Sequence, residues 1–284
     1  MAELEYSVDE LMCVLMAREI RDGEWVNHGA VVPLAGAALM LAKQTHAPNL
    51  DFFYLGTVFN SISPAEPNLA RLMTEPELAY RSSRALISHQ DILNFTLRGN
   101  CSFQFLRPIQ IDGEGSVNVS LIGSPSAPRY RFHGIAVADA MILVKRVCLY
   151  VTEHDPRVLV DKLGFRTGAG HVQADCWRRP LGAPGGGPVS VVTPLCVFDF
   201  ETDDGRARLR SVHPGVTVEH VIEKTGFGFP VSDQVPESEA PTADELRVLR
   251  EVVDPMETRK MEFKQWRAAV QARLNQAGAD AHSR

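Results

Sequence analysis

Between Trp25 and Leu55 the chain places two strand-length apolar runs on either side of one block rich in Ala and Leu, and this arrangement limits the fold more than any other feature. Trp25 to Asn27 reads as extended, His28-Gly29 leads into Pro33, and Leu34 to Gln44 has the composition of a helix, with Pro33 placed for its first turn. Pro48-Asn49 makes a turn, after which Asp51-Phe52-Phe53-Tyr54-Leu55 is again of strand length. Two strands separated by a helix can pair in parallel, because the crossover brings the second strand back to the same end of the sheet. The pattern predicts an α/β fold with a mainly parallel sheet flanked by helices.

The remaining blocks extend that expectation. Ser7 to Arg21 reads as a helix with a capping box from Ser7 to Glu10. Ala85 to Arg98 reads as a helix ended by Gly99, Cys101 to Gln110 as a strand, Asp112 to Gly115 as a turn and Val117 to Ile122 as a strand that pairs back. Asp139 to Lys145 is helical in character, and Val147 to Val151 is a buried strand. The glycine-rich stretch Gly182 to Pro188 feeds the apolar run Val189 to Phe200, followed by a strand at Leu209 to Val212 and a helix at Thr217 to Lys224. Thr242 and Glu245 form a second capping box that opens a helix through Val253. Beyond Pro255, Met256 to Gln276 reads as an amphipathic helix whose stripe of Phe263, Trp266, Val270 and Leu274 suits docking on a partner chain or packing on the body. The chain divides on this basis into residues 1–255 and an appended helix and tail, 256–284.

Composition removes several function classes. A net charge of -6, from 29 basic and 35 acidic residues, argues against a nucleic-acid surface. No run of about 18 apolar residues is present, so no membrane span is expected. The acidic start, Met1 to Met12, is unlike a secretory signal. The five cysteines form no CxxC pair and read as buried thiols of a reducing cytoplasm. The nine histidines make no HExxH or other tight ligand spacing, so no metal is expected, and His213 in its turn reads as a packing or capping residue. There is no Gly-x-Ser-x-Gly elbow, and the glycines near 164–170 and 182–187 lack the strand–loop–helix context of a nucleotide loop. Residue chemistry alone therefore stops at an α/β protein with glycine-rich turns.

Whole strings carry more. Ala17 to Glu24, Leu41 to Leu50, Gln110-Ile111-Asp112 with Gly115 to Asn118, Gly185 to Pro188, Val191 to Thr193, Val197 to Phe200, Ser211 to Glu219, Thr225 to Phe227 and Thr242 to Pro255 together resemble the B subunits of family I CoA-transferases, especially the glutaconate type. The resemblance spans roughly residues 8–255 and implies an open α/β sheet, an A-type partner subunit, an active site between the two subunits, a coenzyme A thioester as substrate and no bound cofactor. It also implies a glutamate at the tip of an early strand, within a Tyr-Glu-Ser-Gly-like string. That carboxylate attacks the acyl-CoA and passes through a glutamyl-CoA thioester.

Here the corresponding string is Tyr54-Leu55-Gly56-Thr57-Val58, so leucine stands where the nucleophile is expected. The family's Gly-Gly-Ala-Asn-Asp loop corresponds to Ile135-Ala136-Val137-Ala138-Asp139, and its Gly-Ala pair before the glutamine becomes Arg107-Pro108-Ile109. Leu55, Gly56, Gln110, Gly115, Asn118, Ile135 and Ala136 are the expected acyl-CoA pocket. Asp112 and Asp139 are the remaining carboxylates near it, each with an alternative role in organising a turn or capping a helix. The expected function is a B-type subunit of a heteromeric acyl-CoA enzyme with hydrolytic, ring-opening or decarboxylating chemistry. In the ring-opening branch that the resemblance brings in, the essential glutamate comes from the A subunit. The alternative is a noncatalytic subunit that stabilises its partner.

Overall fold

The computed structural model describes residues 4–29, 32–55, 60–134, 137–171, 182 and 185–270. Helix α1 (Val8–Arg18) begins at Ser7, whose amide donates to the Glu10 carboxylate at 2.9 Å. Strand β1 (Trp25–Asn27), helix α2 (Pro33–Gln44) and strand β2 (Asp51–Leu55) follow, and β1 and β2 pair in parallel with Val26 opposite Phe52, as the spacing predicts. Strand β3 (Asn60–Ile62), helices α3 (Leu69–Thr74) and α4 (Pro76–Ser82), strand β4 (Ala85–Ile87) and helix α5 (His89–Leu97) come next. The chain continues through β5 (Phe103–Leu106), β6 (Gln110–Ile111), β7 (Val117–Asn118), β8 (Leu121–Ser124), β9 (Ala127–Arg131), α6 (Val137–Leu143) and β10 (Arg146–Tyr150). It ends with β11 (Pro188–Val192), β12 (Cys196–Asp199), β13 (Arg208–Val212), α7 (Val218–Lys224) and α8 (Ala243–Val248).

Nine of these strands form one open sheet in the order β13-β12-β11-β10-β5-β1-β2-β3-β4. The five central strands, β11 to β2, are parallel, and the two pairings on each flank are antiparallel. Alternation along the strands divides the core. Val26, Phe52, Tyr54, Phe103, Phe105, Cys148 and Tyr150 pack beneath α1 and α2 on one face. Val147, Leu149, Val191 and Phe198 pack with Met141 of α6 on the other. Pro33 through Ala42 are all buried, so α2 is a fully enclosed helix, which its nearly uniform Ala/Leu composition permits.

Three expectations change. The block Ala85 to Arg98 is not one helix: its first three residues pair with β3, and Ser88 then caps α5 by accepting the Asp91 amide at 3.1 Å. Val117 to Ile122 is two short strands, because the Asn118 side chain accepts the Ser120 and Leu121 amides and breaks the extended run. The apolar run Val189 to Phe200 also folds back on itself, with the Thr193 hydroxyl accepting the amides of Leu195 and Cys196 at the turn between β11 and β12.

The C-terminal segment departs most. In place of a continuous helix from Met256, residues 254–257 turn, Thr258–Glu262 forms a 3-10 turn, and an α-helix runs from 264 to 270. Asp254 causes the break, because its carboxylate takes the amides of Thr258 at 2.7 Å and Arg259 at 3.0 Å. Arg259, 1% exposed, then points inward to Asp9 at 2.8 Å, Asp254 at 3.0 Å and Glu10 at 3.4 Å. Phe263 packs against the α1–α2 core, while Leu274 lies outside the described residues.

Candidate functional site

In an open α/β sheet the strand ends that face a ligand are the carboxyl ends, and the crevice opens where neighbouring strands connect in opposite directions. That point here lies between β1, which runs on to β2 on one side, and β5 on the other. Asn27 and Gln104 stand opposite each other there, 9% and 8% exposed, and the Asn27 amide donates to the Gln104 carbonyl at 3.4 Å. The Asn27 Oδ1 atom is buried and has no partner among the described residues. The adjacent His28 donates from Nδ1 to the Gly29 carbonyl at 2.7 Å, which leaves Nε2 as a second buried acceptor without a partner among them. Burial lowers the His28 pKa and keeps the ring neutral. Each orphaned acceptor calls for an N–H or O–H donor from outside the described residues.

The tip of β2 is next to this pair. Asn27 is partnered with Phe53, and position 55 is two residues further along, about 7 Å at strand spacing. Leu55 is held by the ladder to Asn60. Gly56, Ile135 and Ala136 lie outside the described residues, as does the side chain of Leu55.

The other predicted pocket residues form a self-contained turn. Gln110 and Asn118 pair across β6 and β7, with the Asn118 amide donating to the Gln110 carbonyl and to the Leu121 carbonyl, both at 2.8 Å. Asp112 accepts the Glu114 and Ser116 amides at 3.0 and 2.9 Å, and burial raises its pKa. Gly115 has φ +74°, and a Cβ there would lie 2.6 Å from Pro188 and 2.8 Å from Phe200, so only glycine fits. Asp112 also lines a small polar cavity of about 180 Å³ with Glu114, Lys162, Arg166 and Arg206. Asp139 is exposed in the first turn of α6.

Two further residues meet at the carboxyl edge. Arg107 follows β5, and Glu262, 3% exposed, comes from the 3-10 turn of the C-terminal segment. The Glu262 carboxylate accepts the Leu34 amide at the start of α2 (2.7 Å), the Tyr150 hydroxyl (3.1 Å) and the Arg107 guanidinium (3.1 Å). Burial raises its pKa against these donors. Asn27, Gln104 and Glu262 are absent from the residues that sequence reasoning singles out. For Asn27 a signal exists in its position, as the polar residue that ends β1, whereas Gln104 is the second residue of β5 and its role shows only in the pairing.

Other candidates are structural. Cys13, Cys101, Cys148 and Cys196 are buried free thiols, and burial pushes Cys101, Cys148 and Cys196 up to about 12; Cys176 lies outside the described residues. His213 bridges the Ser238 hydroxyl and the Thr193 carbonyl, a packing role. Among the described residues no cluster could hold a metal ion and no helix is long and apolar enough to cross a membrane.

The sequence profile of the family described as Coenzyme A transferase matches residues 10–224. The chain belongs to that family. Its relatives there are B subunits. The B subunit of the 3-oxoadipate CoA-transferase of Pseudomonas knackmussii is 33% identical over 86% of this chain and 92% of its own length. The B subunit of the glutaconate CoA-transferase of Acidaminococcus fermentans is 29% identical over 88% and 93%. The IpdB subunit of the cholesterol ring-cleaving hydrolase of Rhodococcus jostii is 29% identical over 68% and 82%. Among solved structures, the decarboxylase AibA/AibB superposes with a TM-score of 0.77 at 29% identity, covering 91% of this chain and 99% of that one. This chain is accordingly a B-type member of family I, with the sheet architecture of its relatives.

Proposed function

We propose that this chain is the B-type half of a heteromeric acyl-CoA enzyme that works without a glutamyl thioester on this polypeptide, by hydrolysis, ring opening or decarboxylation. The carrying observation is the leucine at the tip of β2. An aliphatic residue cannot attack a thioester carbonyl or carry an acyl group, so the covalent route is closed at this position. Relatives named as a hydrolase subunit and as a decarboxylase support the reading, since one scaffold accommodates several acyl-CoA chemistries. In this proposal an A-type subunit completes the cleft, and Asn27 and Gln104 orient the bound thioester from the β1–β5 crevice. The substrate is a coenzyme A thioester and the setting is cytoplasmic. Residues 1–255 form the CoA-transferase-like domain and 256–284 an appended segment.

One observation favours a second reading, a noncatalytic subunit. Of the two predicted carboxylates, Asp112 is committed to its own turn and Asp139 is exposed. The test uses the chain alone and co-purified with its A-type partner. Acyl-CoA turnover is expected only for the pair, and hydroxylamine or borohydride trapping leaves this chain unmodified. Turnover by the isolated chain, or an acyl group trapped on it, defeats the proposal. A reconstituted pair whose affinity for acyl-CoA, by calorimetry, equals that of the A-type partner alone decides for the second reading.

A further inference from the structure

Two guanidinium groups converge on one carbonyl at the carboxyl edge of the sheet. Arg267, on the C-terminal helix, donates to the Glu262 carbonyl at 2.8 Å and to the Met261 carbonyl at 3.3 Å. Arg107 donates to the same Glu262 carbonyl at 3.4 Å and to the Thr152 hydroxyl at 3.3 Å. The Glu262 carboxylate pairs directly with Arg107 and is already shared with a helix N-terminal amide and a tyrosine hydroxyl, while Arg267 holds the backbone carbonyls and acts on that carboxylate through its charge. Two guanidinium charges against one carboxylate leave one net positive charge, and the start of α2 adds a partial positive charge beside it. Each guanidinium has five N–H donors in a planar fork, and the Arg107 side chain remains 32% exposed. Both arginines belong to this chain's departures from the pattern it resembles: Arg107 stands in the altered Gly-Ala pair, and Arg267 lies beyond residue 224, where the family profile ends.

We infer that Arg107 and Arg267, braced by the buried Glu262, form an anion receptor that takes a carboxylate or phosphate oxygen of the acyl-CoA. This rests on the acyl-CoA reading above. The site sits three residues past Gln104 on β5, about 10 Å along the strand from the β1–β5 crevice, within the length of an acyl chain or of the pantetheine arm. Glu262 is a positioning residue: it fixes Arg107 against α2 and Tyr150 and leaves the outer face of the fork for the ligand.

Calorimetry on the co-purified pair tests this with glutaryl-CoA, pentanoyl-CoA and free CoA. Arg107→Gln and Arg267→Gln are each expected to weaken binding by about tenfold, the effect of losing one charge-assisted hydrogen bond. Arg107→Lys restores part of the loss. A loss confined to glutaryl-CoA identifies the acyl carboxylate as the ligand, and an equal loss for all three identifies a coenzyme A phosphate. Arg267 lies on an exposed helix, so its variant carries the test if Arg107→Gln does not fold. Unchanged affinity of the folded Arg267→Gln pair for all three overturns the receptor while leaving the acyl-CoA reading intact. A wild-type pair that binds none of them overturns both.

Discussion

His154 makes a specific claim about acid. Its Nδ1 meets the Thr193 hydroxyl at 2.8 Å and its Nε2 the Thr225 hydroxyl at 3.0 Å, and burial brings its pKa down to about 4. A histidine held neutral in the fold but free to protonate when unfolded near 6.5 contributes its full stability above pH 6.5 and loses it as pH falls toward 4. The loss approaches about 3 kcal/mol. Urea midpoints measured across that window should fall steeply for the wild type and much less for His154→Gln; parallel profiles refute the assignment. At this scale the sequence is informative where the role is local. The Asp112 turn follows from an Asp-Gly pair with its own backbone, and the capping boxes follow from a four-residue spacing. It is silent where the role depends on a distant neighbour: nothing near Asn27 in the sequence reveals that Gln104 will stand beside it.

Among the elements, the C-terminal segment shows where periodicity misleads. The stripe from Phe263 onward is real, yet the residues before it are governed by charge burial. Arg259 sits among Asp9, Asp254 and Glu10, and Arg250 reaches Glu10 at 2.6 Å, so the 3-10 turn is fastened to α1 by ion pairs between residues some 240 positions apart. In sequence these look like the ordinary charges of an exposed helix. Removing one partner of a buried network leaves the others uncompensated, at a cost of about 3–5 kcal/mol. Arg259→Gln should therefore lower the urea midpoint severely, whereas Arg247→Gln, which breaks the solvent-exposed pair with Asp244, should leave it near the wild-type value. Equal midpoints for Arg259→Gln and wild type would show that the network contributes nothing. The parallel centre of the sheet, by contrast, is legible from two apolar runs and the helix between them, because a crossover of that length has few other solutions.

For the molecule as a whole, one sheet serves two cores, and its five parallel strands all end at the same edge. The orphaned acceptors of Asn27 and His28 lie along that edge, as does the Arg107–Glu262 pair. An A-type subunit seated over that edge predicts a stable assembly, and native mass spectrometry of the chain with its A-type partner should show a heteromer in place of the free chain. A mass unchanged by the partner would refute the assembly. The ladder at the end of β2 bears on how such a protein changes trade. Position 55 is fixed by main-chain pairing to residue 60, in a register that any side chain able to form a strand can occupy. The backbone thus keeps an address whose occupant can be rewritten: acids, amides or thiols installed at 55 would report on reactivity with little disturbance of the frame, and a lineage could exchange its reaction there by replacing one residue.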